Sequence, residues 1–445
     1  NFTTATDSHN VAVGNHAGLA VTTGIQNTLI GGLAGDALTD ADFNTAVGYA
    51  ALSSDTLGSR SVAVGTGALF AQNFTTATNA YNVAVGESAG TAVTTGDRNT
   101  LIGGLAGDAL NTGAANVAVG YLALSADTKG ASNVAIGRSA LTTQNFTTGT
   151  DSFNVAVGDR AGTAVTTGGN NTLVGGLAGD ALTDADFNVA LGYNALSSDT
   201  LGSKSTAIGT FALETQNFTT ATDTHNTAVG YFAGVSVTDG LKNTFIGSLA
   251  GDATNTGDFN TFIGYDTGGS NTGGSNNTIV GSGSQTSTVS SDAAVGLGPN
   301  ISCAAGFTTL GSGGDDIRAA HGTATWNAVS DERYKKDIVD STAGLSFIKA
   351  LKPRTFKYKN LGELPETFRA YEADSTDVFK NSNTNHGFIA QEVKTAIDAD
   401  SGIKDGFKLW DERPDGSQEV GEAALIPILV KAIQELEARV KELEG

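Results

Sequence analysis

The run Ala328-Val329-Ser330-Asp331-Glu332-Arg333-Tyr334-Lys335 sets a serine and a lysine five residues apart. A serine hydroxyl is a weak nucleophile until a base takes its proton, and a lysine can be that base when burial lowers its pKa towards neutrality. In this reading Ser330 attacks the carbonyl of Val329 to give an ester, Lys335 takes the hydroxyl proton, and water hydrolyses the ester. The result is a chain cut between Val329 and Ser330. Alone the pair means little, so the weight falls on the segments around it.

Little else in the chain has the pattern of a chemical site. The histidines at 9, 16, 225, 321 and 386 show no paired metal-ligand spacing, and neither a metal nor another cofactor is expected. Acidic runs such as Asp36-Ala-Leu-Thr-Asp40-Ala-Asp42 lack the Gly-Gly-x-Gly-x-Asp spacing of calcium-binding rolls and read as solvated turns. Gly281-Ser-Gly283 and Gly311-Ser-Gly-Gly314 lack the Lys-Ser/Thr and the following helix of a phosphate loop. The single cysteine, Cys303, excludes an intrachain disulfide and allows assembly in a reducing cytosol. Cys303 and Trp326 read as packing residues. A net charge of −21 opposes nucleic acid or an anionic membrane as the main partner. No stretch reaches the roughly 18 to 20 apolar residues of a membrane span. The chain opens on Asn1 and has no methionine, which reads as a fragment or processed piece of something longer.

Composition changes at Ser330. Residues 1–329 carry 8 Lys/Arg against 24 Asp/Glu and 51 of the 59 glycines, whereas the following 116 carry 17 Lys/Arg against 22 Asp/Glu and four of the five prolines. The upstream part is a repeat: Asn-Phe-Thr-Thr begins at 1, 73, 145 and 217, an interval of 72. Inside each interval a pentad recurs, as in Asn10-Val-Ala-Val-Gly14 and Asn27-Thr-Leu-Ile-Gly31, at steps of 17, 17, 17 and 21. Sixteen pentads run to Gly281, all with Val, Ile or Leu fourth and Gly fifth; the first is Asn in fourteen and Ser in two, Ser61 and Ser205.

Each slot has a physical task. The alternating small and β-branched residues make a short strand with one apolar face. The glycine ends it in a tight turn or lets a neighbouring backbone approach. The asparagine suits a turn, and asparagines stacked in register can form a hydrogen-bonded ladder. Alanine three residues beyond the glycine, in fourteen units, reads as a second short strand. A unit this small cannot bury a face alone, so stacking into a β-solenoid is expected, about 75 Å long at about 4.8 Å per coil. One face stays apolar, and self-association would bury it.

These pentads resemble the head repeats of trimeric autotransporter adhesins, a left-handed parallel β-roll with three chains around one axis. The resemblance covers residues 10–281. The unit here is longer than the adhesin unit, as in phage tail fibres of similar pattern. The four extra residues per 72 fall in the loop Asn73-Phe-Thr-Thr-Ala-Thr-Asn-Ala-Tyr81 and its copies. His9, Tyr81, Phe153 and His225, with Phe2, Phe74, Phe146 and Phe218, either touch a cell-surface glycan or, for the phenylalanines, cap the roll. Past Gly281 the rhythm fails, and a Gly/Ser-rich neck is expected over 282–329.

The remaining residues, 330–445, contain Ser330-Asp-Glu-Arg333-Tyr-Lys335-Lys-Asp-Ile338, Ala350-Leu-Lys-Pro353-Arg-Thr-Phe-Lys-Tyr358, His386-Gly-Phe-Ile-Ala-Gln391-Glu392-Val393 and Leu425-Ile-Pro-Ile-Leu-Val-Lys-Ala-Ile-Gln434-Glu-Leu436. In this order they resemble the self-cleaving intramolecular chaperone that ends endosialidase tailspikes and many tail fibres. The resemblance implies a small α+β domain that trimerises, guides folding of the β-rich part before it, and is released by a cut before its serine. It places that serine at Ser330 and the family's lysine at Lys335, with Asp331 and Arg333 as supporting positions. Gln391 and Glu392 either orient the site or simply start a helix. Ile426, Leu429, Ile433, Leu436, Val440 and Leu443 alternate by three and four, the seam of a short coiled coil over 425–444 or the inner face of a helix packed on its own domain.

The expected protein is thus mostly β. A trimeric solenoid shaft over 1–281 is followed by the neck and by the chaperone domain over 330–445. The expectation is a homotrimeric tail fibre or tailspike of a virion, assembled in the host cytoplasm, that attaches to a host glycan or protein and contacts other tail proteins. Its one enzymatic act would be the self-cleavage. A bacterial surface adhesin, or a glycan-degrading tailspike whose catalytic domain lies elsewhere, are the alternatives. Near-identical coils can pair out of register by 17 or 72 residues at little cost, so something at the end must align the three chains.

Overall fold

The computed structural model describes residues 6–323, 326–328, 330–403 and 407–444. Phe2 and Val329 lie outside the described residues. The chain forms two compact units, Asn1–Val329 and Ser330–Gly445.

The first unit is a β-solenoid. Every pentad contributes a three-residue strand, from Val11–Val13 to Thr278–Val280, and each strand pairs in parallel with the next coil. The middle residue faces inward: Leu29, Ala46, Ala63 and Ala84 are buried, and with the alanine and leucine of the following turn they form one core along the stack. The four-residue insertions leave this register intact, since Val62 still pairs with Val83, Val134 with Val155 and Thr206 with Thr227. The extra length loops outward and adds a second parallel pair, such as Gly58–Ser59 with Thr78–Asn79. Phe74, Phe146 and Phe218 are buried beneath these loops at 7 to 8% exposure, which fits capping and removes them as glycan contacts.

The pentad glycine meets both demands made of it. Gly31 has φ +135, and a Cβ there would lie 2.3 Å from the carbonyl oxygen of Gly48 in the next coil. Any side chain would force the coils apart.

The asparagine ladder is present. Asn27 Oδ1 accepts from the backbone N–H of Asn44 at 2.9 Å, while Asn27 Nδ2 donates to the carbonyl of Ala41 at 2.7 Å. Where Ser61 replaces the asparagine, Gln72 reaches in and donates to Ser61 Oγ at 3.0 Å and to Asp55 at 2.6 Å, while its own oxygen accepts from Asn82. The polar interior stays satisfied at the odd coil.

The second strand expected around the alanine is absent. That segment is a turn with left-handed residues two apart, such as Leu33 (φ 59) and Gly35 (φ 55) or Ala50 (φ 53) and Leu52 (φ 54). An extended strand could not turn the corner of so short a coil. The turn still bonds to its neighbours, Gly18 N–H donating to Ala34 O at 2.9 Å and Leu33 N–H to Asn15 O at 2.9 Å. No left-handed residue among those described is Val, Ile or Thr, as sterics require.

The stack also runs into the expected neck. Val295–Leu297 forms a further parallel rung on Thr278–Val280, and Phe307–Ser312 pairs on it before turning antiparallel with Asp315–Ala320. This hairpin changes the pairing from parallel to antiparallel at the end of the ladder. Cys303 is buried, but Trp326 is exposed rather than packed.

The second unit is α+β. Helices α1 (Leu345–Ala350), α2 (Ala390–Ala399) and α3 (Leu425–Glu444) surround a core of Phe347, Leu351, Val393, Leu409, Leu425 and Ile428. Arg354–Phe356 pairs antiparallel with Asn385–Gly387, which joins two of the sequence stretches singled out above.

Candidate functional site

Ser330 and Lys335 are joined through a short 3-10 turn, Glu332–Tyr334. Asp331 caps it, its Oδ1 accepting the Arg333 N–H at 2.9 Å, and the Arg333 guanidinium folds back on the same carboxylate in a two-pronged contact at 2.9 and 2.7 Å. The Arg333 contact holds the Asp331 carboxyl below the usual aspartate range. The Lys335 N–H donates to Glu332 O at 2.9 Å, and Lys335 Nζ then reaches back to donate to Ser330 Oγ at 2.7 Å.

The separation is within the reach of a nucleophile and its base, although here the lysine donates, whereas a base would accept the hydroxyl proton. The expected burial is not met, because both residues are exposed in the single chain.

Gln391 and Glu392 lie in the first turn of α2, and no hydrogen bond joins either to Ser330 or Lys335 among the described residues. Glu392 is held instead by Arg354, Nε and Nη2 donating to its two oxygens at 2.9 and 2.5 Å, which lowers its pKa and ties α2 to the Arg354–Phe356 strand. The pair was hidden in the sequence because its members lie 38 residues apart on unrelated elements. Glu435 was missed too: from α3 it accepts the Leu345 N–H at 2.9 Å and caps α1.

Helix α3 shows two apolar faces. Leu425, Ile428 and Ala432 are buried in their own domain. The seam residues Ile426, Leu429, Ile433, Leu436, Val440 and Leu443 are 41 to 87% exposed. The six residues are therefore not the inner face of the helix; the contact with its own domain is made by a neighbouring row.

The molecule is thus a β-solenoid shaft followed by a small α+β domain that starts on a serine with a lysine at its hydroxyl. Residues 330–401 match the family model described as chaperone of endosialidase, and the match begins at Ser330 itself. No curated protein matches the chain. The C-terminal domain is of the endosialidase-chaperone type, and its union with a β-solenoid fits a tailspike or tail fibre.

Proposed function

We propose that the chain forms a homotrimeric shaft for host attachment, whose C-terminal domain aligns three chains during folding and is then released between Val329 and Ser330. The observation that carries this reading is the exposed seam of α3, an apolar row beside the face that the helix already buries in its own domain. A second apolar surface agrees with it. The outward fourth pentad position leaves Ile30, Ile102, Ile136, Leu191 and Ile246 between 37 and 44% exposed along one side of the shaft. The shaft row repeats with each coil, and three copies side by side would bury it.

The Ser–Lys contact supports the cleavage reading. Lys335 takes the Oγ proton as Ser330 bonds to the Val329 carbonyl carbon, then returns it to the Ser330 nitrogen as the C–N bond breaks. The resulting ester is hydrolysed, leaving a carboxylate on Val329 and a free hydroxyl on Ser330. Burial of Lys335 by neighbouring copies couples this step to assembly, so chains are cut only once aligned. Removing the aligner afterwards makes unfolding one-way and the stability kinetic. Mass spectrometry beside sedimentation tests this: wild type assembles as a trimer and splits at Val329/Ser330, whereas Ser330→Ala and Lys335→Ala assemble and stay whole. A monomeric wild type, or a trimer that is never cut, would overturn the corresponding half.

A further inference from the structure

One place on the shaft departs from the repeat in a way the fold does not need. Phe211, Tyr231 and Phe232 occupy positions filled 72 residues earlier by Ser139, Asp159 and Arg160, and a further 72 earlier by Gly67, Glu87 and Ser88. The backbone is unchanged by the swap: φ is 57 at Phe232, 56 at Arg160 and 54 at Ser88. Side chains of very different chemistry serve equally well there, so the rings are not demanded by packing.

In this one copy the rings converge. Tyr193 and Phe211 lie 5.6 Å apart in a T-shaped contact, Phe211 and Phe232 are 4.8 Å apart, and Tyr231 meets Phe232 at 4.4 Å. Tyr193 and Tyr231 remain 50 and 54% exposed. Asn194 and Glu214 adjoin the rings, again departing from Leu122 and Thr142 of the preceding copy. Asn194 Nδ2 donates to Glu214 Oε1 at 3.4 Å, while Asn194 Oδ1 is enclosed and has no hydrogen-bond donor. A buried acceptor left unpaired costs free energy, so this corner of the cluster is not built for stability alone.

We infer that Tyr193, Asn194, Phe211, Glu214, Tyr231 and Phe232 form a binding site for a neutral pyranose chain. The rings offer flat apolar surface to the C–H faces of sugars, and the Glu214 carboxylate accepts from hydroxyl groups at the sugar edge. Glu214 and the acidic shaft disfavour a polyanionic glycan. A second copy of this chain is a poorer occupant, because an interface running the length of the repeat would want the rings in every copy.

This inference rests on the reading of the shaft as an attachment surface, and the experiment separates the two. Full-length trimer is applied to immobilised neutral hexose and N-acetylhexosamine oligosaccharides, beside the triple variant Phe211→Ser, Tyr231→Asp, Phe232→Arg, whose residues the preceding copy already carries on the same fold. Wild type should bind at least one probe, the variant at least tenfold more weakly with its trimer intact, and Tyr49→Ser as wild type. Equal binding by the triple variant would overturn the site, as would a wild type that binds no probe or a variant that loses the trimer. Adhesion of the same wild-type trimer to bacterial cells tells whether the attachment reading survives that failure.

Discussion

Replacing Ile433 and Leu436 together by alanine should dissolve the trimer without harming the domain that carries them. In the single chain these side chains are 64 and 45% exposed, so their apolar surface is gained only on assembly. At about 0.8 kcal/mol per buried methylene, truncation removes about 1.5 kcal/mol for Ile433 and about 1 for Leu436 in each chain. Over three chains this comes to about 8 kcal/mol, roughly six orders of magnitude in the trimerisation constant and about a thousandfold in the concentration at half assembly. Ile428 is the control on the buried face: it is 6% exposed, and Ile428→Ala should lower the stability of the domain itself by about 2 to 5 kcal/mol. Sedimentation over a dilution series reads the first effect and circular dichroism on heating reads the second. If the double variant assembles at the wild-type concentration, or melts like Ile428→Ala, the seam is not the trimer contact and the argument fails.

Other outcomes follow from the same geometry. Gly120 has φ +140 and a Cβ there would lie 2.4 Å from Gly137 O, so Gly120→Ala should cost about 3 kcal/mol or more, whereas Gly149, with nothing within 4 Å, should tolerate alanine or gain up to about 1 kcal/mol. Denaturant midpoints compare the two, and equal midpoints would contradict the close-approach argument. Burial pushes the Asp55 carboxyl up, against hydrogen bonds from Gln72 and from the backbone N–H groups of Phe74, Gly58 and Thr56. A raised folded pKa gives stability that is full below the unfolded value and lost as pH rises through the folded one. The difference in melting midpoint between wild type and Asp55→Ala should therefore widen as pH falls towards 3.8; a narrowing would refute it. Glu392 runs the other way, since Arg354 lowers its pKa: its contribution is present above the ordinary glutamate range and lost as pH falls through the folded value. Hydrogen exchange of α2 in Arg354→Ala should match wild type only in acid.

Much of the shaft was legible because each coil repeats the same local demands. The glycine, the inward alanine or leucine and the buried asparagine each meet identical neighbours one coil away, so their spacing appears directly in the chain. The same logic failed for the alanine turn, where small buried residues look alike in a strand and in a left-handed corner. Ala294-Val-Gly296 reads from sequence only as a degraded pentad, whereas the rung is Val295–Leu297, 17 residues beyond Thr278–Val280, with Gly296 where a larger residue usually faces inward. Gln72 could have been found, since it and its copies Gln144 and Gln216 lie in the same 21-residue coils as Ser61, Asn133 and Ser205.

By itself the sequence determined the coil length, the buried ladder, the junction at Ser330 and the spacing of serine and lysine, because these depend on residues that are near in the chain or periodic along it. Only the tertiary structure decided that Lys335 reaches Ser330 while remaining solvated, that Glu392 belongs to Arg354, and that α3 has one face for its own domain and another left over. Those outcomes rest on which distant, non-repeating segments meet, and a contact of that kind leaves no period to read.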